Sequence, residues 1–438
     1  MKYYVGIDLG STTTKAIILS EPGAVLGRGI TNSRSNYTIA CDVALSEALI
    51  NARFGLVAAE LEASGIIGDS RERAVAELER RFREQGYRHQ LSHFSEIIRG
   101  HEGKLGSGAA LSSALESILA QMEGEAGELF TEGATRKSDF FRDIAGGRYL
   151  ELAEERAEPG DVSFDQLVGL FDKAILEAEN RPSAAADFQT HISAALSTMS
   201  DASPELAPAV ASATATSMEA ASSVGTGYGR ATLPFPKEQI RSEILCHGLG
   251  AHFMFPQTRT VLDIGGQDTK AIQVDEQGIV TSFQMNDRCA AGCGRYLGYI
   301  ADEMNLGVHQ LGPLALRSKR RVKINSTCTV FAGAELRERL SLGERREDIL
   351  AGLHRAIILR AMSLLARSGG VSEEFTFTGG VANNQAAVNA LRQLVDENYG
   401  RVTMNISPDS IYTGALGAAL FARRDGDLPA AVVGGEAA

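Results

Sequence analysis

Short apolar runs flank two polar, glycine-containing turns that lie far apart in the chain. Val5 and Ile7 precede the first turn and residues 16–19 follow it, while residues 261–262 precede the second turn and residues 271–274 follow it. Short apolar runs that are bounded by glycine turns are typical of β-hairpins. Each copy is therefore predicted to form a strand, a tight turn and a second strand.

The two turns also share a sequence pattern. DLGSTTTK at residues 8–15 and DIGGQDTK at residues 263–270 both have Asp, an aliphatic residue, Gly, three variable positions, Thr and Lys. A repeat of fixed positions with matching flanks is typical of an internally duplicated fold. The pattern predicts two related lobes, whereas one copy alone would be compatible with an ordinary hairpin.

A different pattern separates the two copies. Val75, Leu78 and Phe82 recur at helical spacing after a capping residue at Asp69 or Ser70, and Gly86 is predicted to end this amphipathic helix. The predicted order is a first lobe at 1–50, a helical acidic insertion at 51–215, the first lobe continued at 216–240, a second lobe at 241–425 and a flexible tail at 426–438.

Composition and charge narrow the functional classes. The 438 residues are 44% hydrophobic and 22% charged, as in ordinary globular proteins, with a net charge of -12 that disfavours nucleic acid and anionic membranes as partners. Residues 51–200 hold 26 acidic and 16 basic side chains and so carry most of that charge. This insertion is either a solvated helical subdomain or a docking surface for a partner.

The chain is expected to be cytoplasmic. No run approaches the roughly 18 apolar residues of a membrane span, and Asp8 and Lys15 interrupt the segment where a signal peptide would be apolar. Five cysteines in so long a chain do not indicate a disulfide framework, and they leave thiol, redox or metal roles open.

The first turn has the groups that a nucleoside triphosphate requires. Glycine allows the backbone N–H groups to approach a phosphate closely, hydroxyls and an ammonium group bind its oxygens, and a carboxylate orients the waters of Mg²⁺. The first copy supplies Asp8, Gly10, Ser11, Thr12, Thr13 and Lys15, and the second supplies Asp263, Gly265, Gly266, Gln267 and Thr269. There is no Walker-type GxxxxGK[ST] loop, so two opposed hairpins are predicted to hold one phosphate chain.

Two further segments extend the pattern. FTGGVANN at residues 377–384 runs from a predicted strand into a turn with Gly379, Gly380 and Asn383, and GALGAALFA at residues 414–422 places small residues at helical spacing. Together with the two Asp-containing turns, these segments resemble the actin, hexokinase and sugar-kinase ATPase superfamily, which holds ATP between two ribonuclease-H-like α/β lobes. The resemblance implies a doubled α/β fold with a largely helical insertion, and an adenosine site at the second glycine turn.

The same resemblance implies a set of catalytic residues. Glu243, twenty residues before Asp263, is similar to the residue that this superfamily places near the attacking water, although a solvated carboxylate at a helix start would look the same. We therefore predict that the catalytic residues are Asp8, Glu243, Asp263 and Gln267.

Two cysteines indicate a narrower group of proteins within this superfamily. Cys289 in NDRCAAGCGRYL and Cys328 in NSTCTVFAGAE each precede a predicted helix, whose N-terminus favours a thiolate. A [4Fe–4S] cluster takes four thiolates, so two such chains would complete one site. Cys293 is a candidate alternate ligand, Cys41 and Cys246 are predicted to be small buried residues, and His89, His93 and His101 are predicted to be non-ligating surface residues.

These segments are similar to the ATPase electron-activator family that serves 2-hydroxyacyl-CoA dehydratases and benzoyl-CoA reductases. Within that family the long insertion most resembles the larger of the two ATPase subunits of benzoyl-CoA reductases. The resemblance implies ATP, Mg²⁺ and a [4Fe–4S] cluster shared with a homologous ATPase subunit, ferredoxin as electron donor, and catalytic reductase subunits that bind benzoyl-CoA. The alternatives are a dehydratase activator and a metal-free kinase or chaperone-like ATPase.

Overall fold

The computed structural model describes residues 1–33, 36–105, 108–134, 140–157, 161–179, 185–199, 203–233, 235–287, 292–320, 322–324 and 329–426. The chain forms two compact units. One comprises Lys2–Ser33 and Glu219–Ala438, and the other comprises Arg34–Met218 together with Met1. The first contains the segments that resemble an ATPase superfamily and is therefore called the ATPase unit below, and the second is called the helical unit.

The ATPase unit contains two related sheets. In the first sheet the strands are β1 (Lys2–Leu9), β2 (Thr13–Ser20), β3 (Val25–Asn32) and β4 (Glu219–Thr226), in the order β3-β2-β1-β4. In the second sheet they are β5 (Thr260–Ile264), β6 (Thr269–Val274), β7 (Val280–Asn286), β8 (Phe375–Thr378) and β9 (Met404–Asn405), in the order β7-β6-β5-β8-β9. In each sheet the hairpin is antiparallel, and a distant strand adds in parallel to its first strand.

The helices of the ATPase unit cover these sheets. They are α8 (Glu243–Met254), α9 (Gly294–Glu303), α10 (Val308–Ala315), α11 (Thr329–Ser341), α12 (Arg346–Ser368), α13 (Gln385–Tyr399) and α14 (Thr413–Gly426). α12 contributes Ile349, Leu353, Ile357 and Leu365 to the main apolar core of this unit. α12 is also long and apolar enough to cross a membrane, but 67% of its apolar window is buried inside the protein, as in a core helix.

The helical unit contains seven helices within the described ranges. They are α1 (Tyr37–Ala63), α2 (Gly68–Leu105), α3 (Ala109–Glu125), α4 (Phe141–Arg156), α5 (Phe164–Glu179), α6 (Ala185–Ser197) and α7 (Leu206–Ala215). Asn36 caps α1 by accepting a hydrogen bond from the Ile39 amide at 3.3 Å. This unit therefore begins earlier than residue 51, where the sequence analysis placed the start of the insertion.

The prediction that Gly86 ends its helix is wrong. α2 continues through Gly86 to Leu105, because Leu91 and Phe94 extend its apolar face into a second buried cluster, beyond the one that contains Leu78 and Phe82. A glycine inside a helix costs about 1 kcal/mol relative to alanine, which burial of one or two large apolar side chains offsets.

In the ATPase unit, α8 and α14 cross with their backbones in contact. A Cβ atom on Gly417 would lie 1.9 Å from the carbonyl oxygen of Cys246, and one on Gly250 would lie 2.1 Å from that of Thr413. A Cβ atom on Gly6 of β1 would lie 2.0 Å from the carbonyl oxygen of Ala415. The small residues that the sequence places in α14 therefore allow this helix to pack directly on both β1 and α8.

We expect Gly417→Ala to lower the free energy of unfolding by about 3 kcal/mol, because the added methyl group overlaps the α8 backbone. Gly298→Ala in α9 is the matched control, since a Cβ atom there meets nothing within 4 Å. The control should be neutral or more stable by up to about 1 kcal/mol. Urea unfolding followed by circular dichroism measures both, and equal midpoints for Gly417→Ala and the wild type would contradict the close crossing.

Candidate functional site

The first hairpin turn follows a buried carboxylate. Asp8, 6% exposed, is at the end of β1 and pairs in register with Lys15 of β2, whose Nζ lies 3.8 Å from Asp8 Oδ2. The turn is anchored to the end of β3, because the Ser33 amide donates to the Thr12 carbonyl oxygen at 2.8 Å. Of the predicted phosphate ligands, Ser11, Thr12 and Thr13 are half-buried or exposed and so remain accessible.

Position 10 of this turn has no space for a side chain. A Cβ atom on Gly10 would lie 2.7 Å from the Thr13 carbonyl oxygen and 3.2 Å from Lys15 Nζ. A side chain at this position would occupy the place where the ammonium group and the turn backbone meet. The turn can therefore present backbone N–H groups to an anion at close range.

The second hairpin repeats this arrangement. Asp263 of β5 pairs in register with Lys270 of β6, and the Gly265 amide closes the turn by donating to the Asp268 carbonyl oxygen at 3.0 Å. Gln267 of this turn is half-buried. A Cβ atom on Gly266 would lie 2.5 Å from Thr12 Oγ1. The structure thus brings the two predicted phosphate turns into contact with each other.

Three groups surround the Asp263 carboxylate. Thr378 Oγ1 donates to Asp263 Oδ1 at 2.8 Å, His247 Nδ1 of α8 lies 3.3 Å from the same oxygen, and Lys270 Nζ lies 3.4 Å from Oδ2. Burial alone would raise the pKa of Asp263, but His247 and Lys270 outweigh burial and hold this pKa far below its ordinary value. Asp263 is therefore ionised at neutral pH despite complete burial.

Each sheet also places a threonine and a glycine beside its aspartate. Thr226 of β4 pairs with Asp8, as Thr378 of β8 pairs with Asp263, and the next residues, Gly227 and Gly379, have φ of 101° and 86°. Both positive φ values and the close backbone neighbours favour glycine, since a Cβ atom on Gly227 would lie 2.5 Å from Asp8 Oδ1. The sequence analysis found the second of these turns and missed the first.

The predicted adenosine turn lies directly after β8. A Cβ atom on Gly379 would lie 2.4 Å from the Ile264 carbonyl oxygen, so this turn packs against the end of β5, and Gly380–Asn383 forms one 3₁₀ turn. Gly380 and Asn383 are exposed. Asn384 then caps α13 by accepting from the Ala386 amide at 3.0 Å.

Glu243 is the first residue of α8 and is 6% exposed. Its carboxylate lies 3.8 Å from Lys270 Nζ and 3.6 Å from Arg230 Nη1, and Arg230 also donates to the Gly227 carbonyl oxygen at 3.2 Å. Burial raises the pKa of Glu243, while Lys270 opposes this rise. Such a carboxylate can accept a proton closer to neutral pH than an exposed one.

Thr269, which was predicted to bind phosphate, makes a contact within the protein. Its buried hydroxyl donates to the carbonyl oxygen of Gly292, just before α9. The amides of Gly294 and Arg295 donate to the carbonyl oxygens of Gly265 and Gly266 at 2.8 and 2.7 Å. The second phosphate turn is therefore bonded directly to the segment that enters α9.

The two predicted cluster ligands, Cys289 and Cys328, lie outside the described residues. Cys293 is buried at the N-cap position of α9, and α11 begins one residue after Cys328. Cys41 and Cys246 are buried as predicted, and burial raises the pKa of each thiol to about 12. Within the described ranges no group of three or more His, Cys, Asp or Glu side chains could hold a metal, so His89, His93 and His101 form no such group.

Comparison with known proteins places this site in context. The family model described as "BadF/BadG/BcrA/BcrD ATPase family" matches residues 5–422. The (R)-2-hydroxyglutaryl-CoA dehydratase activating ATPase of Acidaminococcus fermentans is 46% identical over 199 residues, which are 45% of this chain and 74% of that protein. One subunit of the benzoyl-CoA reductase of Thauera aromatica is 33% identical over 175 residues, which are 40% of this chain and 62% of that protein.

A solved structure agrees with the fold. The crystal structure of Acidaminococcus fermentans (R)-2-hydroxyglutaryl-CoA dehydratase component A aligns with a TM-score of 0.54 and 25% identity, covering 97% of this chain and 99% of that chain. The predicted fold, an α/β protein of two related lobes with a largely helical insertion, is confirmed. The predicted match to the larger ATPase subunit of benzoyl-CoA reductase is not confirmed, because the Thauera aromatica relative is a different subunit of that enzyme and is less similar than the dehydratase activator.

We expect Asp8→Asn to lower the rate of Mg-ATP hydrolysis by about 100-fold, because the substitution removes the carboxylate that would orient the waters of Mg²⁺. Asp396→Asn on the exposed face of α13 is the matched control and should hydrolyse ATP at the wild-type rate. Phosphate release and circular dichroism are measured on the same samples. Near-normal turnover by a folded Asp8→Asn variant would mean that Asp8 only ends a strand.

Proposed function

Because this chain belongs to the BadF/BadG/BcrA/BcrD ATPase family, we propose that it hydrolyses ATP between its two hairpin turns and activates a partner enzyme by electron transfer. The observation that carries the ATPase part is the contact between Gly266 and Thr12, which joins two turns that each follow a buried aspartate. The proposed partner is a 2-hydroxyacyl-CoA dehydratase. The dehydratase activator among the relatives is 46% identical, against 33% for the reductase subunit.

The residues of the two turns suit a nucleotide with Mg²⁺. Backbone N–H groups of residues 10–12 and 266–267 would bind the phosphate oxygens, and Lys15 would add a positive charge. Asp8 is a buried carboxylate beside two glycines, since a Cβ atom would lie 2.5 Å from its Oδ1 on Gly227 and 2.9 Å from its Oδ2 on Gly414, which suits it to hold the water ligands of a hydrated cation. Asp263 would serve the same cation from the second turn. Mg²⁺, when bound with ATP, would neutralise part of the negative charge of the phosphates.

The remaining predicted residues would complete the hydrolytic site. Glu243 would accept a hydrogen bond from the attacking water and take its proton, and its buried position supports this role because burial raises its pKa. Gln267, in the turn between β5 and β6, would orient the same water. Gly379, Gly380 and Asn383 would pack against the nucleoside.

The electron-transfer part rests on the cysteines and on one connection. Cys289 and Cys328 would each supply a thiolate, and a second ATPase subunit would supply two more, since a [4Fe–4S] cluster takes four. The cluster, when present, supplies one-electron chemistry, with ferredoxin proposed as the donor. The bonds from Gly294 and Arg295 to the second phosphate turn support coupling, because a movement of that turn would displace the start of α9.

Cys328→Ala should abolish the broad absorbance near ~400 nm that a bound cluster gives after anaerobic reconstitution. Cys293→Ala is the matched control and should keep this absorbance, because Cys293 is buried at the start of α9. Iron and sulfide analysis accompanies the spectra. Loss of the cluster in Cys293→Ala but not in Cys328→Ala would overturn the ligand assignment, and a wild-type chain free of iron would favour a metal-free ATPase.

The choice of partner is tested by the ratio of product to ATP. With a reductant and a 2-hydroxyacyl-CoA dehydratase from the same source, we expect many dehydrated products for each ATP hydrolysed, because one activation serves many turnovers. Product and phosphate are measured in the same anaerobic reaction, with Asp8→Asn as the inactive control. A constant number of ATP molecules hydrolysed for each product, with product formed only when benzoyl-CoA reductase subunits are present, would instead support the reductase role.

A further inference from the structure

The two repeated lysines occupy equivalent positions in different surroundings. Lys15 and Lys270 each face the aspartate of their own hairpin in the same register. The Lys15 side chain is 12% exposed and its Nζ lies 3.8 Å from Asp8. The Lys270 side chain is 3% exposed, so the second lysine is enclosed by protein.

Three carboxylates surround the enclosed lysine. Lys270 Nζ lies 2.8 Å from Asp268 Oδ2, 3.4 Å from Asp263 Oδ2 and 3.8 Å from Glu243 Oε2. Asp268 and Asp263 lie within hydrogen-bonding distance of Lys270 Nζ, and Glu243 adds a longer ion pair. The charge of Lys270 is therefore already balanced by protein carboxylates, whereas Lys15 faces the single carboxylate of Asp8 and is positioned to bind a phosphate oxygen.

The third carboxylate has a different origin from the other two. Asp263 and Asp268 belong to the same hairpin as Lys270, but Glu243 begins α8, which packs against β5, β6 and β7. Lys270 is thus the cation that joins the second phosphate turn to the start of α8. Arg230, a further cation near Glu243, is 44% exposed and lies 3.6 Å away, so solvent screens its attraction to the carboxylate more strongly.

We infer that the two equivalent lysines have different roles: Lys15 binds the phosphate chain of ATP, and Lys270 is a positioning residue that holds Glu243 toward the attacking water. This inference rests on the proposed ATP hydrolysis. It differs from a duplicated phosphate site, in which both lysines would bind substrate. Lys270 acts on the rate of the chemical step through Glu243 and does not touch the nucleotide.

Steady-state ATP hydrolysis separates the two roles. Lys15→Met should raise KM by about tenfold or more, because a group that binds substrate is lost. Lys270→Met should lower kcat by about tenfold or more and leave KM within about threefold, because only the positioning of Glu243 is lost. Lys237→Met, an exposed lysine of the same unit, is the control and should match the wild type in both constants.

A double-mutant cycle tests the route through Glu243. If Lys270 acts on the rate only through Glu243, adding Lys270→Met to Glu243→Gln should change kcat by less than about twofold, since the carboxylate is already gone. Multiplicative losses in kcat would contradict the inference. A rise in KM of Lys270→Met that equals the rise for Lys15→Met would also contradict it, because both lysines would then bind substrate.

Lys270→Arg provides a second variant, since removal of Lys270 leaves three buried carboxylates unbalanced and Lys270→Met can fail to fold. Lys270→Arg keeps the charge but puts a larger guanidinium group where the lysine side chain is only 3% exposed, so it should displace Glu243 and lower kcat with KM unchanged. Wild-type kcat in Lys270→Arg would overturn the inference. Absence of ATP hydrolysis by the wild type in the same assay would instead refute the proposed function.

Discussion

The burial of the Asp263 carboxylate is the constraint on which the second half of the ATPase unit depends. A buried charge is tolerated only where it is paired and hydrogen-bonded. Thr378 of β8, His247 of α8 and Lys270 of β6 meet this need from three separate elements. The partners of this one charge therefore link the β5–β6 hairpin, the parallel strand β8 and the helix α8. They also leave an ionised carboxylate beside the second hairpin turn.

The repeated motif made the hairpins and the pairing of two lobes predictable, because the aspartate, glycine and lysine lie within eight residues of one another. Gly227 was missed because the neighbours that leave no space for a Cβ atom there, Asp8 and Leu9, lie more than two hundred residues away in the sequence. The difference between Lys15 and Lys270 was also missed. Asp268, which stands where the first copy has Thr13, was visible in the sequence, but Glu243 on α8 is brought to Lys270 only by the fold.

The nucleotide site does not distinguish a dehydratase activator from a reductase subunit, which explains why the motifs alone were compatible with either partner class. Both would require the same buried aspartates and glycine turns, because both act on the same phosphate chain. In the proposed function, the two classes differ in the acceptor of the electron, which would contact other surfaces. The hydrogen bonds between the second hairpin turn and the start of α9 would provide the proposed path for coupling with either partner.

The most direct test of the proposed ATP site is a crystal structure of the chain with Mg²⁺ and a non-hydrolysable ATP analogue. We predict one nucleotide, with its β- and γ-phosphate oxygens about 3 Å from backbone nitrogens of both residues 10–12 and residues 266–267. Lys15 Nζ would lie on a phosphate oxygen and Lys270 Nζ would remain among its carboxylates. A nucleotide bound by one turn alone, or away from both, would contradict the proposed site.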